Sequence, residues 1–187
     1  MVSANIFMCS QKFLYKALNM NAPENQKETL ELFKQGPTIL ENALTGLSDI
    51  ELDYLPINGG WSIRQIAHHI SDGDDLWKAC IKIALGNEQG EFSLKWYLAL
   101  PQTEWAKKWS YETRSIDTSL ELLKANRNHI LQLLEHIPDG WNKSARFRDA
   151  NGEIETVPVG FVIQMQAEHV VHHVKRIAEI SKEISNK

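Results

Sequence analysis

The stretch SIRQIAHHISDGDDLWKACIKIALG, residues 62–86, decides the fold because it keeps one helical period from end to end. Ser62 is a favourable N-cap residue, Gln65 stands where it completes a capping box, and Gly86 is a typical C-terminal stop. One face of this stretch carries Ile66, His69, Gly73, Leu76, Cys80 and Ile83. Because a helix with such a stripe must bury it, the stretch predicts a long amphipathic helix in a helical core.

Three further segments show the same period and predict long helices over about residues 24–46, 115–136 and 158–185. The pair Gly36-Pro37 lies inside the first of these, so that helix should kink or break there. Four long amphipathic helices predict an all-α fold, an antiparallel four-helix bundle.

Shorter signals lie between the long helices. SDIE has capping-box spacing and predicts a short helix after residue 47. Asn151-Gly152 predicts a small β-hairpin before the last helix, which Thr156 and Pro158 are expected to open. Residues 87–114 contain three tryptophans and are expected to form a long, partly helical connection whose tryptophans anchor against the core or line a pocket mouth.

Composition narrows the class of protein. A length of 187 residues predicts one domain, over residues 23–187. The net charge of −4 gives no attraction to nucleic acid or to an anionic membrane. Residues 1–22 read as a loosely ordered N-terminal extension without the features of a signal peptide. Cys9 and Cys80 form no CxxC pair, which argues against a disulfide framework. A protein without such a framework is expected in a reducing cytoplasm.

Five of the seven histidines lie in two short stretches, "HH" in the second helix and "HVVHH" in the last: His68, His69, His169, His172 and His173. In an α-helix, residues four apart share a face, so His169 and His173 form a pair. This pair occupies the apolar stripe of the last helix, and His69 occupies that of the second. Three imidazoles are therefore expected to point into the core.

Their presence on core stripes points to a metal ion. An unsatisfied buried polar group costs about 1–3 kcal/mol, so each ring needs a partner. A single core histidine can be satisfied by a carbonyl oxygen or a buried water. Three histidines from two stripes are harder to satisfy in that way. Neutral imidazoles that converge on one point are suitable ligands for a divalent cation. Three protein ligands leave a position for water or substrate, as in a catalytic site.

Other residues near these histidines have alternative interpretations. Asp72 lies three residues after His69 and is a candidate base or orienting group, although a solvated carboxylate explains it equally well. His68 should face a neighbouring helix or solvent, and His172 is expected to be exposed. Trp61 is interpreted as a hydrophobic staple of the second helix, and Gly73 as room beside the metal or a close helix contact.

The ordered set of motifs resembles the DinB/YfiT-like superfamily. The resemblance rests on GGWSIRQIAHHISDGD (residues 59–74), EHVVHHVKRI (168–177), LSDIELDYLPINGGW (47–61) and the Asn-Gly hairpin, and covers residues 24–182. It implies an antiparallel four-helix bundle with nickel or zinc bound by the second histidine of the HH pair and by an HxxxH pair. On this sequence those ligands are His69, His169 and His173. A homodimer is a further expectation that the resemblance supports.

The resemblance implies two competing activities. In the first, a bacillithiol-type small-molecule thiol is deprotonated at the metal and attacks an electrophilic small molecule. In the second, the metal activates water for hydrolysis. A metalloprotease-like site would place glutamate directly after the first histidine of the pair, where this chain has Val170, and this difference favours transfer. A third hypothesis is a metal-stabilised, stress-related bundle without catalytic activity.

Overall fold

The computed structural model describes residues 21–186 and contains four long helices, as the sequence predicts. In chain order the elements are α1 (Gln26–Leu44), α2 (Asp49–Leu52), α3 (Ile63–Gly86), β1 (Glu91–Ser93), α4 (Lys95–Leu98), α5 (Gln102–Lys108), α6 (Asp117–His136), β2 (Ser144–Arg148), β3 (Ile154–Pro158) and α7 (Val159–Ser185). Most of the expected N-terminal extension, residues 1–22, lies outside the described residues. Between residues 21 and 186, no helix is both long and apolar enough to cross a membrane.

The long helices α1, α3, α6 and α7 enclose a core that divides into two clusters, one towards each end of the bundle. α1 and α7 start in the cluster of Phe33 and Val162 and end in the cluster of Leu40 and Ile177. α3 and α6 run from the second cluster to the first. Two helices therefore run in each direction, and α3 packs on both α6 and α7.

Local capping signals set the start of α3 and of α2. The Ser62 hydroxyl accepts from the Gln65 backbone N–H, and the Gln65 side chain accepts from the Ser62 backbone N–H. Ser48 and Glu51 form the same capping box at α2. Such a box satisfies N–H groups that a helix start leaves without partners, so both boundaries match the sequence prediction.

The expected break at Pro37 does not occur, because α1 continues through it. Proline has no N–H to donate to the carbonyl oxygen four residues earlier, which belongs to Phe33. Arg127 of α6 takes over this role, with its Nη1 donating to the Phe33 carbonyl oxygen at 2.7 Å. Gly36 makes room for it, since a Cβ there would lie only 1.9 Å from that nitrogen. The prediction of a break was wrong because it considered α1 alone.

A small sheet covers one end of the bundle. β2 and β3 form the expected antiparallel hairpin, and Gly152 in its loop has a φ of 90°. β1 pairs in parallel with β2, which the sequence analysis did not predict. Thr156 lies in β3 and does not open the last helix; α7 starts at Val159, with Pro158 as its N-cap residue.

Candidate metal centre

Three histidines from two helices converge at the centre of the bundle. The Nε2 atom of His169 lies 3.1 Å from Nε2 of His69 and 3.0 Å from Nε2 of His173. One nitrogen from each ring belongs to a set whose members all lie within 4.8 Å of one another. The structure thus brings together the three residues that the core stripes selected.

These nitrogens cannot all satisfy one another by hydrogen bonding. A neutral imidazole nitrogen carries either one proton or one lone pair, so Nε2 of His169 can form only one good hydrogen bond. It nevertheless faces two other Nε2 atoms at contact distance. A cation that accepts a lone pair from every ring resolves this conflict. Two nitrogens bound to one cation at about 2.0–2.1 Å and at angles of about 90–109° are about 2.9–3.4 Å apart, in agreement with the observed spacings.

Burial keeps the three rings in the form that binds metals. His69 is 4% exposed. Burial lowers the pKa of His69, His169 and His173 well below the ordinary histidine value, and the neighbouring imidazoles lower it further. A low pKa means that the rings are neutral near pH 7, and neutral imidazole is the metal ligand. The donor set therefore fits a divalent cation such as zinc or nickel.

The helices place these rings by simple geometry. His169 and His173 are one turn apart on α7, and α3 packs antiparallel to α7 so that His69 faces both. Gly73, one turn after His69, leaves space beside the His169 ring, since a Cβ there would lie 3.7 Å from its Cε1 atom. That is an ordinary van der Waals distance, so Gly73 is not required sterically.

The three histidines line a cavity of about 510 Å³. The apolar part of its lining comes from α3, α7 and the segment that starts at Leu94, and it includes Leu76, Trp77, Leu94, Leu98 and Met165. The polar and charged part includes Lys175, Arg176 and Glu179 of α7. A pocket of this size and character suits a small organic molecule.

A family model identifies the superfamily of this chain. A model of the DinB superfamily matches residues 32–177. The chain belongs to the DinB superfamily. The resemblance that the ordered set of motifs indicated is thereby confirmed.

Several relatives of this DinB-superfamily chain carry metal-dependent names. It is 24% identical over 168 residues to the "Putative metal-dependent hydrolase YfiT" of Bacillus subtilis, and the match covers 90% of each chain. A Geobacillus thermodenitrificans protein with the same functional name is 25% identical over 159 residues, covering 85% of each. Metal dependence is thus the common description of the relatives.

Solved structures confirm the fold of the DinB-superfamily chain. The YfiT structure, described as having an unusual four-helix bundle topology, superposes with a TM-score of 0.74 at 22% identity, covering 89% of this chain and 91% of YfiT. A mycothiol-dependent maleylpyruvate isomerase gives a TM-score of 0.58 at 17% identity, covering 80% of this chain and 59% of the isomerase. The four-helix bundle is therefore shared with both.

Asp72, the candidate base, is not among the described residues that line the cavity. Its carboxylate lies 3.8 Å from the Arg114 guanidinium and beside the Tyr111 phenol, whose pKa it helps to raise. It also raises the pKa of Tyr97, which does line the cavity. Asp72 therefore lies near this tyrosine but outside the described lining of the cavity, and its catalytic role stays a prediction.

His68 and His172, the remaining histidines of the two motifs, lie apart from the three converging residues. His68 is fully buried and faces α6, as one of the two alternatives predicted: its Nδ1 lies 2.8 Å from the Ser119 hydroxyl and its Nε2 lies 3.2 Å from the Arg114 carbonyl oxygen. His172 is exposed at the cavity rim, as expected, with its ring against that of His173. Neither belongs to the group of three converging nitrogens.

Two aromatic residues of the site were missed by the sequence analysis. Trp61 was interpreted only as a staple, but it also lines the cavity and meets the His69 ring edge to face at a centroid distance of 4.6 Å. Its position directly before the α3 N-cap could have indicated this contact. Tyr97, the second of these residues, lines the cavity from α4. No periodic signal marks such a short helix, so its place could not be deduced from spacing.

Proposed function

We propose that this chain is a metal-dependent enzyme that transfers a low-molecular-weight thiol to an electrophilic small molecule. The observation that carries the proposal is the convergence of three neutral imidazoles on a cavity whose described wall offers no unpaired carboxylate. The two acidic side chains in that wall are Asp74, which binds Arg127, and Glu179, which binds Arg176. The site thus has metal ligands without an evident general base.

Thiol transfer suits such a site better than hydrolysis does. A cation held by three imidazoles would leave a coordination position for a ligand and lower the pKa of a thiol or water bound there. A free thiol has a pKa of about 8.5, so it needs little further help to ionise. Water is far less acidic, and hydrolases commonly add a carboxylate base.

The protein itself would supply orientation and exclusion of water. His69, His169 and His173 fix the place where the thiol sulfur approaches. The apolar wall around Trp77 and Leu98 would receive the electrophile and keep water from competing with the sulfur. The mycothiol-dependent isomerase that shares the fold supports a thiol as the co-substrate.

Hydrolysis remains the second candidate because the curated relatives are named metal-dependent hydrolases. One assay separates the two activities. Protein loaded with zinc or nickel is incubated with bacillithiol, glutathione or coenzyme A and with monochlorobimane, and the same protein is offered a panel of esters and amides. Metal-dependent formation of the fluorescent thioether supports transfer.

The control is the His169→Ala variant treated identically, which should form no thioether above the uncatalysed rate. Release of acid from esters or amides without thioether formation would overturn the proposal in favour of hydrolysis. If neither reaction is accelerated, the proposal is also wrong, and the bundle is a metal-binding module without turnover.

A further inference from the structure

The tryptophan-rich segment between β1 and α6 holds one cavity residue, Tyr97, in a fixed position. Its ring stacks on Trp105 at a centroid distance of 5.6 Å and an interplanar angle of 16°, and on Trp109 at 6.0 Å and 22°. The Trp105 indole N–H donates to the Tyr97 carbonyl oxygen at 2.7 Å. Both the ring and the backbone of Tyr97 are thus held by their neighbours, as a preorganised group requires.

Tyr97 is the single hydroxyl-bearing residue among the described residues that line the cavity. Its phenol has a side-chain hydrogen bond with Gln102 that lowers the pKa of Tyr97. The Gln102 amide carries two N–H donors, so it can donate to the phenol oxygen. The phenol therefore keeps its own proton available for a ligand.

The phenol is also protonated at neutral pH. Burial and the nearby Asp72 carboxylate raise the pKa of Tyr97 to about 12. Tyr97 is 8% exposed and lines the same cavity as the three histidines. A weak acid in a nearly dry wall can donate a hydrogen bond to a developing oxyanion without losing its proton to solvent.

We propose that Tyr97 is a catalytic proton donor. It favours electrophiles in which attack at carbon breaks a bond from that carbon to oxygen, epoxides above all. This inference rests on the thiol transfer proposed above and adds the substrate class and the acid. His69, His169 and His173 cannot serve as this acid while their nitrogens face a cation, and His172 is an exposed residue of the lining. Lys175 and Arg176 belong to α7, and Arg176 is paired with Glu179.

The step balances without a further reagent. The thiol loses its proton to solvent, and its sulfur forms a bond to one epoxide carbon while the bond from that carbon to oxygen breaks. The epoxide oxygen takes the proton of the Tyr97 phenol and becomes a hydroxyl group. Solvent then returns a proton to Tyr97, so that thiol and epoxide together give a β-hydroxy thioether.

An alkyl iodide provides a matched substrate because iodide leaves without needing a proton. We expect Tyr97→Phe to lower kcat/KM for an aromatic epoxide such as styrene oxide by about 100-fold or more, the usual range for a lost general acid. The same variant should change kcat/KM for benzyl iodide less than about threefold. Tyr111 also interacts with Asp72 but is not among the described lining residues, so Tyr111→Phe should leave the ratio of the two rates unchanged.

A binding measurement tests the same contact without turnover. Quenching of tryptophan fluorescence reports binding of the β-hydroxy thioether and of the thioether that lacks this hydroxyl. The wild-type protein should bind the hydroxylated compound about tenfold more tightly, as one hydrogen bond predicts, and Tyr97→Phe should lose this preference.

The outcomes distinguish this inference from the proposed function. If the wild type conjugates both substrates and Tyr97→Phe slows them equally or not at all, the role of Tyr97 is overturned and thiol transfer stands. If the wild type conjugates neither, both are overturned. Equal binding of the two thioethers by wild type and variant would also contradict a hydrogen bond from Tyr97.

Discussion

The Nε2 atoms of His69 and His169 lie 3.1 Å apart although 100 positions separate the two residues in the chain. Their meeting requires α3 and α7 to pack in one register, because a shift of one residue along either helix turns its ring away by about 100°. A site of this kind exists only in the folded bundle. Metal binding and folding are therefore expected to support each other.

Replacing any one of the three converging histidines should remove the metal. With His69→Ala, His169→Ala or His173→Ala, two imidazoles remain and bind a divalent ion far more weakly. Inductively coupled plasma mass spectrometry of protein purified after loading should show about one ion per wild-type chain and almost none in these variants. His172→Ala is the matched control and should keep its metal, since His172 is exposed and outside the group.

Asp72→Asn tests whether Asp72 acts directly. Because the carboxylate lies beside Tyr97 and Tyr111 and not among the lining residues, we expect the variant to keep its metal and to conjugate benzyl iodide within about tenfold of the wild-type rate. Loss of a direct general base would cost about 10²–10⁴-fold. A decrease of that size in steady-state kcat, with full metal content, would show that Asp72 contacts the reacting groups.

Gly36→Ala should destabilise the fold. The added Cβ would lie 1.9 Å from the Arg127 guanidinium, which cannot move freely because it also binds Asp74, and both side chains are 1% exposed. Disturbing such a buried ion pair costs about 3 kcal/mol in the free energy of unfolding. Urea denaturation followed by circular dichroism measures this loss.

A second glycine variant provides the comparison for Gly36→Ala. At Gly86 a Cβ would meet nothing within 4 Å, so Gly86→Ala should leave the free energy of unfolding within about 1 kcal/mol of the wild-type value. Equal stability of the two variants would contradict the role assigned to Arg127, which is to donate to the Phe33 carbonyl oxygen so that α1 continues through Pro37.

Cys80 should resist modification in the folded protein. Its side chain is 1% exposed, and burial raises the pKa of the thiol to about 12. At pH 8 only about one thiol in ten thousand is ionised at such a pKa, and the thiolate is the reactive form. In a Cys9→Ser background, Ellman's reagent should react with Cys80 only after urea is added; reaction at the rate of an exposed cysteine would refute this assignment.

Much of the scaffold and the three histidines could be predicted from the sequence because both follow local rules. Helical periodicity and capping boxes define α3 within one turn, and the same stripe selects His69 over His68. The HxxxH spacing selects His169 and His173. Because the two helices share a core, these three histidines are expected to meet there.

The remaining features depend on contacts between distant elements. The continuation of α1 through Pro37 depends on Arg127, 90 residues later in the chain, and β1 needs β2 as a partner before it is a strand. Tyr97 lies in a four-residue helix whose place is set by Trp105 and Trp109. No local periodicity encodes such pairings, so the contribution of Tyr97 to the cavity could be found only in three dimensions.

The proposed coordination of one ion by three imidazoles is tested most directly by X-ray absorption at the metal edge. Protein loaded with zinc or nickel should give a first shell with three imidazole nitrogens at about 2.0–2.1 Å, together with one or more lighter-atom ligands from solvent. Adding a thiol should introduce a sulfur scatterer at about 2.3 Å while all three imidazoles remain. A first shell with fewer than three imidazoles in the wild-type protein would contradict the site.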